Sequence, residues 1–92
     1  MIRSFRSRSL RRFAETGDGS KLNVRKPDRI RRVLVLLNAA KEPRQMNVAG
    51  FGFYALKGRD KGRFAAWASE NWRITFGWDG EDAIDVDLED YH

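Results

Sequence analysis

The sequence predicts an α+β fold, with two N-terminal helices packed on a small, mainly antiparallel sheet. Three observations point there. Apolar residues recur at helical spacing in the first half, at Leu10, Phe13 and Ala14 and again at Ile30, Val33, Leu34, Leu37 and Ala40. The period then switches to two, most clearly where Trp72, Ile74, Phe76 and Trp78 alternate with Arg73, Thr75 and Gly77. Short glycine-bearing turns, "GRDKG" and Asp79-Gly80, separate the alternating stretches. Helices laid on one face of such a sheet bury both apolar surfaces.

The elements follow in order. Ile2 to Phe5 is a short candidate strand. A helix begins near Ser7, which can cap it, and Gly17 can stop it. "TGDGSKLN" is a loop. Pro27 suits the first turn of a second helix, whose apolar stripe is flanked by Arg29 and Arg32 and followed by Pro43. Asn38 to Gly52 holds a helix end and a loop. "FYALK" and "RFAAWAS" are strand candidates on either side of the "GRDKG" turn. After the Trp72–Trp78 strand and its Asp-Gly turn, Ile84, Val86 and Leu88 alternate with Asp85 and Asp87. Strands joined by short glycine turns read as an antiparallel meander. The 92 residues are enough for one domain and too few for two, so residues 1–92 are read as a single domain.

Composition narrows the chemistry. Hydrophobic residues make up 41% and aromatics 12%, enough for a core. There are no cysteines and one histidine, His92, which excludes disulfides, thiolate metal sites and a histidine cluster within one chain. No apolar run approaches the roughly 20 residues that span a bilayer, so no membrane partner is expected. The formal charge is +5 and it is polarised. Residues 1–44 carry 13 Lys/Arg against 4 Asp/Glu, whereas residues 45–92 carry 5 against 9. A basic half fits an anionic partner, most simply nucleic acid, or is a solvated surface without a partner. "MIRSFRSRSLRRFAET" has the composition of a transit peptide or a membrane-surface helix. Removing it would leave a very small domain, so it is read as structure.

Alternation places Arg73 on the sheet face opposite the Trp72/Ile74/Phe76/Trp78 core. Asp85 and Asp87 share that open face if the hairpin is regular. A cross-strand ion pair is the plainer reading. An arginine aimed at a phosphate is the functional one. Lys57 can join it, and Arg59, Lys61 and Arg63 cluster in and after the turn. His92 is the side chain best suited to move protons near neutral pH. Tyr91 can anchor it, and Glu89 and Asp90 stand close by and favour the imidazolium.

"LKG", "NWRITF" and "EDYH" together give a specific combination, and "MIRSF" opens the chain. With these motifs the sequence resembles the HigB-type toxins of bacterial type II toxin–antitoxin modules, within the RelE/ParE superfamily. The likeness runs essentially from end to end. It implies a RelE-like fold, and that Met1–Phe5 is part of the domain and no targeting signal. It further implies a ribosome-dependent mRNA endonuclease without metal or other cofactor. In such enzymes the RNA's own 2′-hydroxyl attacks the adjacent phosphorus. The chemistry needs a base, an acid and cations around the phosphoryl oxygens.

Carried over by position, Lys57 and Arg73 would stabilise phosphoryl charge. Asn71 would orient the RNA or the C-terminal tail. Asp90 would tune its neighbours, Tyr91 would anchor the tail or stack on a base, and His92 would transfer a proton. The resemblance implies that the C-terminal tail folds over the sheet and completes the site. One departure is clear: the family's Leu-His-Pro-Leu-Lys-Gly is here Phe53-Tyr54-Ala55-Leu56-Lys57-Gly58. Tyr54 replaces a histidine, and a phenol with a reference pKa of about 10 is a poor general base at neutral pH. Catalysis by two histidines is therefore unavailable. A ParE-like toxin that binds gyrase, an RNA- or ribosome-binding toxin with weakened or lost cleavage, and a basic RNA-binding module are the alternative readings. Expected partners are the ribosome with its mRNA and a helix-turn-helix antitoxin, with operator DNA reached only through the antitoxin complex. Arg8, Arg11, Arg12, Arg29 and Arg32 would face ribosome or antitoxin, in the cytoplasm.

Overall fold

The structure, a computed structural model, describes residues 1–25, 27–69 and 71–90. Helix α1 spans Arg8–Thr16 and α2 spans Asp28–Ala39. Strands β1 (Tyr54–Ala55), β2 (Phe64–Ser69), β3 (Trp72–Asp79) and β4 (Asp82–Asp90) form one antiparallel sheet in sequential order.

Both helices carry the signals read from sequence. The Ser7 hydroxyl accepts the Leu10 amide at 3.1 Å and starts α1. Gly17, at φ +79°, ends it by donating its amide to the Phe13 carbonyl at 2.8 Å. Ile30, Val33, Leu34, Leu37 and Ala40 are all buried, with Leu10 and Phe13 beside them. Burying each larger side chain stabilises the fold by about 1.5–3 kcal/mol. Helix α2 packs on β2, whose core-facing residues are Ala66 and Ala68, small enough for the helix to come close. Beyond them the core face is aromatic. Phe53, Phe64 and Phe76 stack in turn with centroids 5.7 and 5.8 Å apart, and Trp78 meets Phe76 edge-on.

The N-terminal stretch pairs as expected, but only through two isolated bridges. Ile2 and Phe5 lie parallel to Ala83 and Val86 of β4. The Arg3 and Arg6 amides donate to those two residues' carbonyls at 2.8 Å. This parallel segment covers the outer edge of β4. Pro43 opens a short 3-10 turn, Pro43–Met46, that seats Met46 in the core.

Two expectations are corrected. The "FYALK" strand shrinks to Tyr54–Ala55, because Gly58–Asp60 winds into a 3-10 turn directly afterwards. The alternation holds at Val86 and Leu88 but fails at Ile84. Between Gly77↔Ile84 and Thr75↔Asp87, β4 carries one more residue than β3. Asp85 takes up this bulge at φ +51°, a left-handed conformation that aspartate tolerates better than most residues. Ala83 and Val86 therefore face the core, while Ile84 meets the open face beside Gly77.

Candidate functional site

The open face of the sheet, away from the helices, holds a connected polar group. Arg73 lies near its centre, opposite Trp67 on β2 and Glu89 on β4. Its Nη1 donates to the Tyr54 hydroxyl at 2.8 Å, and its Nη2 lies 3.7 Å from Glu89 Oε1. The expected pairing with Asp85 or Asp87 does not form, because the bulge moves the register and makes Glu89 the residue opposite Arg73. Asp85 turns instead to the N-terminal segment, where its amide donates to Ser4 Oγ at 2.9 Å.

Behind this pair the network continues inward. Thr75, fully buried, donates its hydroxyl to Glu89 and accepts from Arg63 Nη2 at 3.0 Å. Arg63 also donates to the Asp85 carbonyl at 3.0 Å. A Cβ at Gly77 would stand 3.3 Å from Ile84 and 3.7 Å from Arg63 Nη1, so glycine leaves room for the guanidinium to cross the sheet. Burial pushes the Arg63 guanidinium below its usual pKa, with Arg6 adding to the effect and Glu89, Asp85 and Asp87 opposing it. For Arg73 burial acts in the same direction. The Tyr54 hydroxyl, Glu89 and Asp60 outweigh it and hold Arg73 above its usual value. Both arginines stay charged.

The geometry constrains Tyr54. Its oxygen accepts from Arg73, so its own O–H is aimed elsewhere and can donate to another group. Tyr54 is 41% exposed, so that group can come from solvent. Lys57 is exposed where the chain enters the Gly58–Asp60 turn. Asn71 is exposed at the turn into β3, two residues before Arg73. Asp90 ends β4 opposite Trp72. The structure thus gathers Tyr54, Arg73 and Glu89, with Asn71 and Asp90 at the adjoining sheet end. Tyr91 and His92 lie outside the described residues.

The other basic residues divide. Arg59 and Lys61 are exposed on the turn, whereas Arg63 is drawn onto the sheet. Arg8 and Arg32 are exposed, Arg11 pairs with Glu15 at 3.1 Å and Arg12 with Asp18 at 2.9 Å. Arg29 leaves the helix surface and reaches Trp67. Sequence reasoning missed Glu89 as the partner of Arg73. Its signal was parity, since Glu89 shares the open face with Asp87, but only the register places it opposite Arg73. Among the described residues no group of three or more His, Cys, Asp or Glu is placed to hold a metal ion, and no helix is long and apolar enough to cross a membrane.

Residues 3–92 match the family described as the RelE-like toxin of the type II toxin–antitoxin system HigB. The chain belongs to this HigB-like toxin family. It is also 34% identical over 92 residues to the endoribonuclease HigB of Proteus vulgaris, covering all of both chains. The two helices and the antiparallel sheet accord with a RelE-like fold, and a type II toxin has a cognate antitoxin as partner. The HigB-like match spans both the Tyr54–Lys57 segment and β3–β4, which together build the polar group around Arg73.

Proposed function

We propose that this HigB-like toxin is an endoribonuclease that cuts mRNA in the translating ribosome. Besides family membership, one observation carries the reading: Arg73 is a charged guanidinium on an open sheet face, steered by a phenol whose O–H has no acceptor among the described residues. A scissile phosphate seated there receives charge from Arg73 and a hydrogen bond from Tyr54. Asp87 and Glu89 on β4 repel RNA, so the phosphate approaches from the Tyr54 and Lys57 side. Lys57 adds a second cation.

The 2′-oxygen forms a bond to phosphorus, its proton passes to a base, and the phosphorus–O5′ bond breaks as the 5′-oxygen gains a proton. The product is a 2′,3′-cyclic phosphate. Neither Tyr54 nor Arg73 is a base at neutral pH. His92 therefore carries proton transfer, with Asp90 tuning it, Tyr91 anchoring or stacking and Asn71 orienting the RNA. The partners are the ribosome and a HigA-type helix-turn-helix antitoxin, with operator DNA bound through the complex. The setting is the cytoplasm. Exposed Arg8, Arg32, Arg59 and Lys61 suit contact with ribosomal RNA or antitoxin.

The test is a reconstituted translation reaction with mRNA 5′ ends mapped by primer extension. Wild type is expected to create new ends only on translated message. Arg73→Ala and His92→Ala are expected to lower cleavage by about 10²–10⁴ without unfolding. Cleavage at the wild-type rate by His92→Ala would remove its proton-transfer role. No new ends with wild type would overturn the nuclease reading, and gyrase poisoning would be assayed next.

A further inference from the structure

Trp67 stands apart from the other tryptophans. It is 39% exposed and sits directly opposite Arg73 in the β2–β3 register. Directly opposed strand residues have Cα atoms about 4.5–5.5 Å apart, so the two side chains rise from one patch of the open face. The side chain is firmly based. The Trp67 amide donates to the Phe51 carbonyl at 2.8 Å, and a Cβ at Gly52 would come within 3.4 Å of Trp67 Cβ.

Arg29 completes the arrangement. It donates from Nε to the Trp67 carbonyl at 3.2 Å, and its guanidinium carbon lies 4.1 Å from the indole centroid and 5.6 Å from the Phe51 ring. Its Nη2 is buried with no hydrogen-bond partner among the described residues. The two rings and the Nε hydrogen bond together hold the guanidinium in place. A single-stranded RNA gains a flat, braced ring beside a phosphate-binding cation.

We propose that Trp67 is a base-stacking platform that seats the nucleobase next to the phosphate held by Arg73, with Arg29 fixing the indole's orientation. The assignment rests on the endoribonuclease reading and deepens it. It makes Trp67 a determinant of which nucleotide is presented for cutting. Stacking of a base on an aromatic side chain is worth about 1–3 kcal/mol, which corresponds to a loss of about 5- to 150-fold when the ring is removed.

The experiment compares wild type, Trp67→Phe and Trp67→Leu on ribosomes programmed with messages that differ only at the nucleotides around the cut. Phe is expected to keep kcat/KM within about threefold. Leu is expected to lose about 5- to 150-fold and to flatten the preference among messages. Thermal melting checks the fold, and Trp67→Gln replaces Leu if Leu unfolds. Wild-type rate and preference in the non-aromatic variant would overturn the platform and leave the nuclease standing. Equal losses in Phe and Leu would also overturn it, because shape and not stacking would then matter. Absence of cleavage by wild type would overturn the nuclease reading and this assignment together.

Discussion

Replacing Tyr54 by Phe removes one oxygen and leaves the ring. That oxygen accepts from Arg73 at 2.8 Å. A hydrogen bond to a charged group contributes about 1.5–3 kcal/mol at a buried site, but Tyr54 is 41% exposed and water can replace it. The cost to folding is therefore below about 1 kcal/mol, a melting shift of under roughly 8 °C. Catalysis should suffer more. Arg73 would keep its contact with Glu89 and lose its tether on the side from which RNA approaches. A loss of about 1–2 kcal/mol of transition-state stabilisation lowers cleavage about 5- to 30-fold. The loss should fall on kcat, with the shape of the pH profile unchanged, because Tyr54 positions charge and does not exchange a proton. Single-turnover cleavage on programmed ribosomes between pH 6 and 9 measures both. A rate within twofold of wild type would refute the positioning role. A loss beyond about 10² with one limb of the profile missing would show that the phenol moves a proton.

Thr75→Val keeps the shape of a fully buried side chain but strips partners from Arg63 and Glu89, so urea unfolding should reveal a loss of about 1–3 kcal/mol. Asp85→Val should destabilise the fold by about 1–2 kcal/mol relative to Asp85→Asn, since the position is left-handed, and equal midpoints would contradict the bulge. The hydrogen bond from Arg12, then those from the Ser20 backbone and side chain, hold the Asp18 carboxyl well below the usual carboxylate range. A depressed pKa means that its stabilisation is present above the unfolded value of about 4 and is lost as pH falls further. Asp18→Asn should therefore melt with a shallower acid dependence below about pH 4, as read by circular dichroism.

Local rules carried the sequence reading a long way. Ser7, Gly17 and the Ile30–Ala40 stripe specify the helices through capping and period, which depend on near neighbours only. The β3 alternation is equally local, and it put Arg73 on the open face. What could not be read was register. Asp85 looks like any polar strand residue, yet it absorbs the bulge that sets Glu89, in place of Leu88, opposite Arg73. Arg29 looks like a solvated helix residue, and its contact with Trp67 spans 38 positions. The two-residue β1 was overestimated because "FYALK" has strand composition, while Gly58 at φ +67° turns the chain away. Tyr54 was identified as the unusual position, but not that it would grip Arg73.

The bridges from Ile2 to Ala83 and from Phe5 to Val86 join segments made at opposite times during synthesis. Contacts so distant along a chain form late and slowly, because the intervening loop must close first. A ribosome making this protein exposes the helices and β1 to β3 before β4 is available. Until then the opening segment has no strand to lie against, and Arg73 lacks Glu89. The polar face is therefore assembled only once the last strand has emerged. A chain that stops short of β4 therefore holds Arg73 and Tyr54 but not the carboxylate that completes their group.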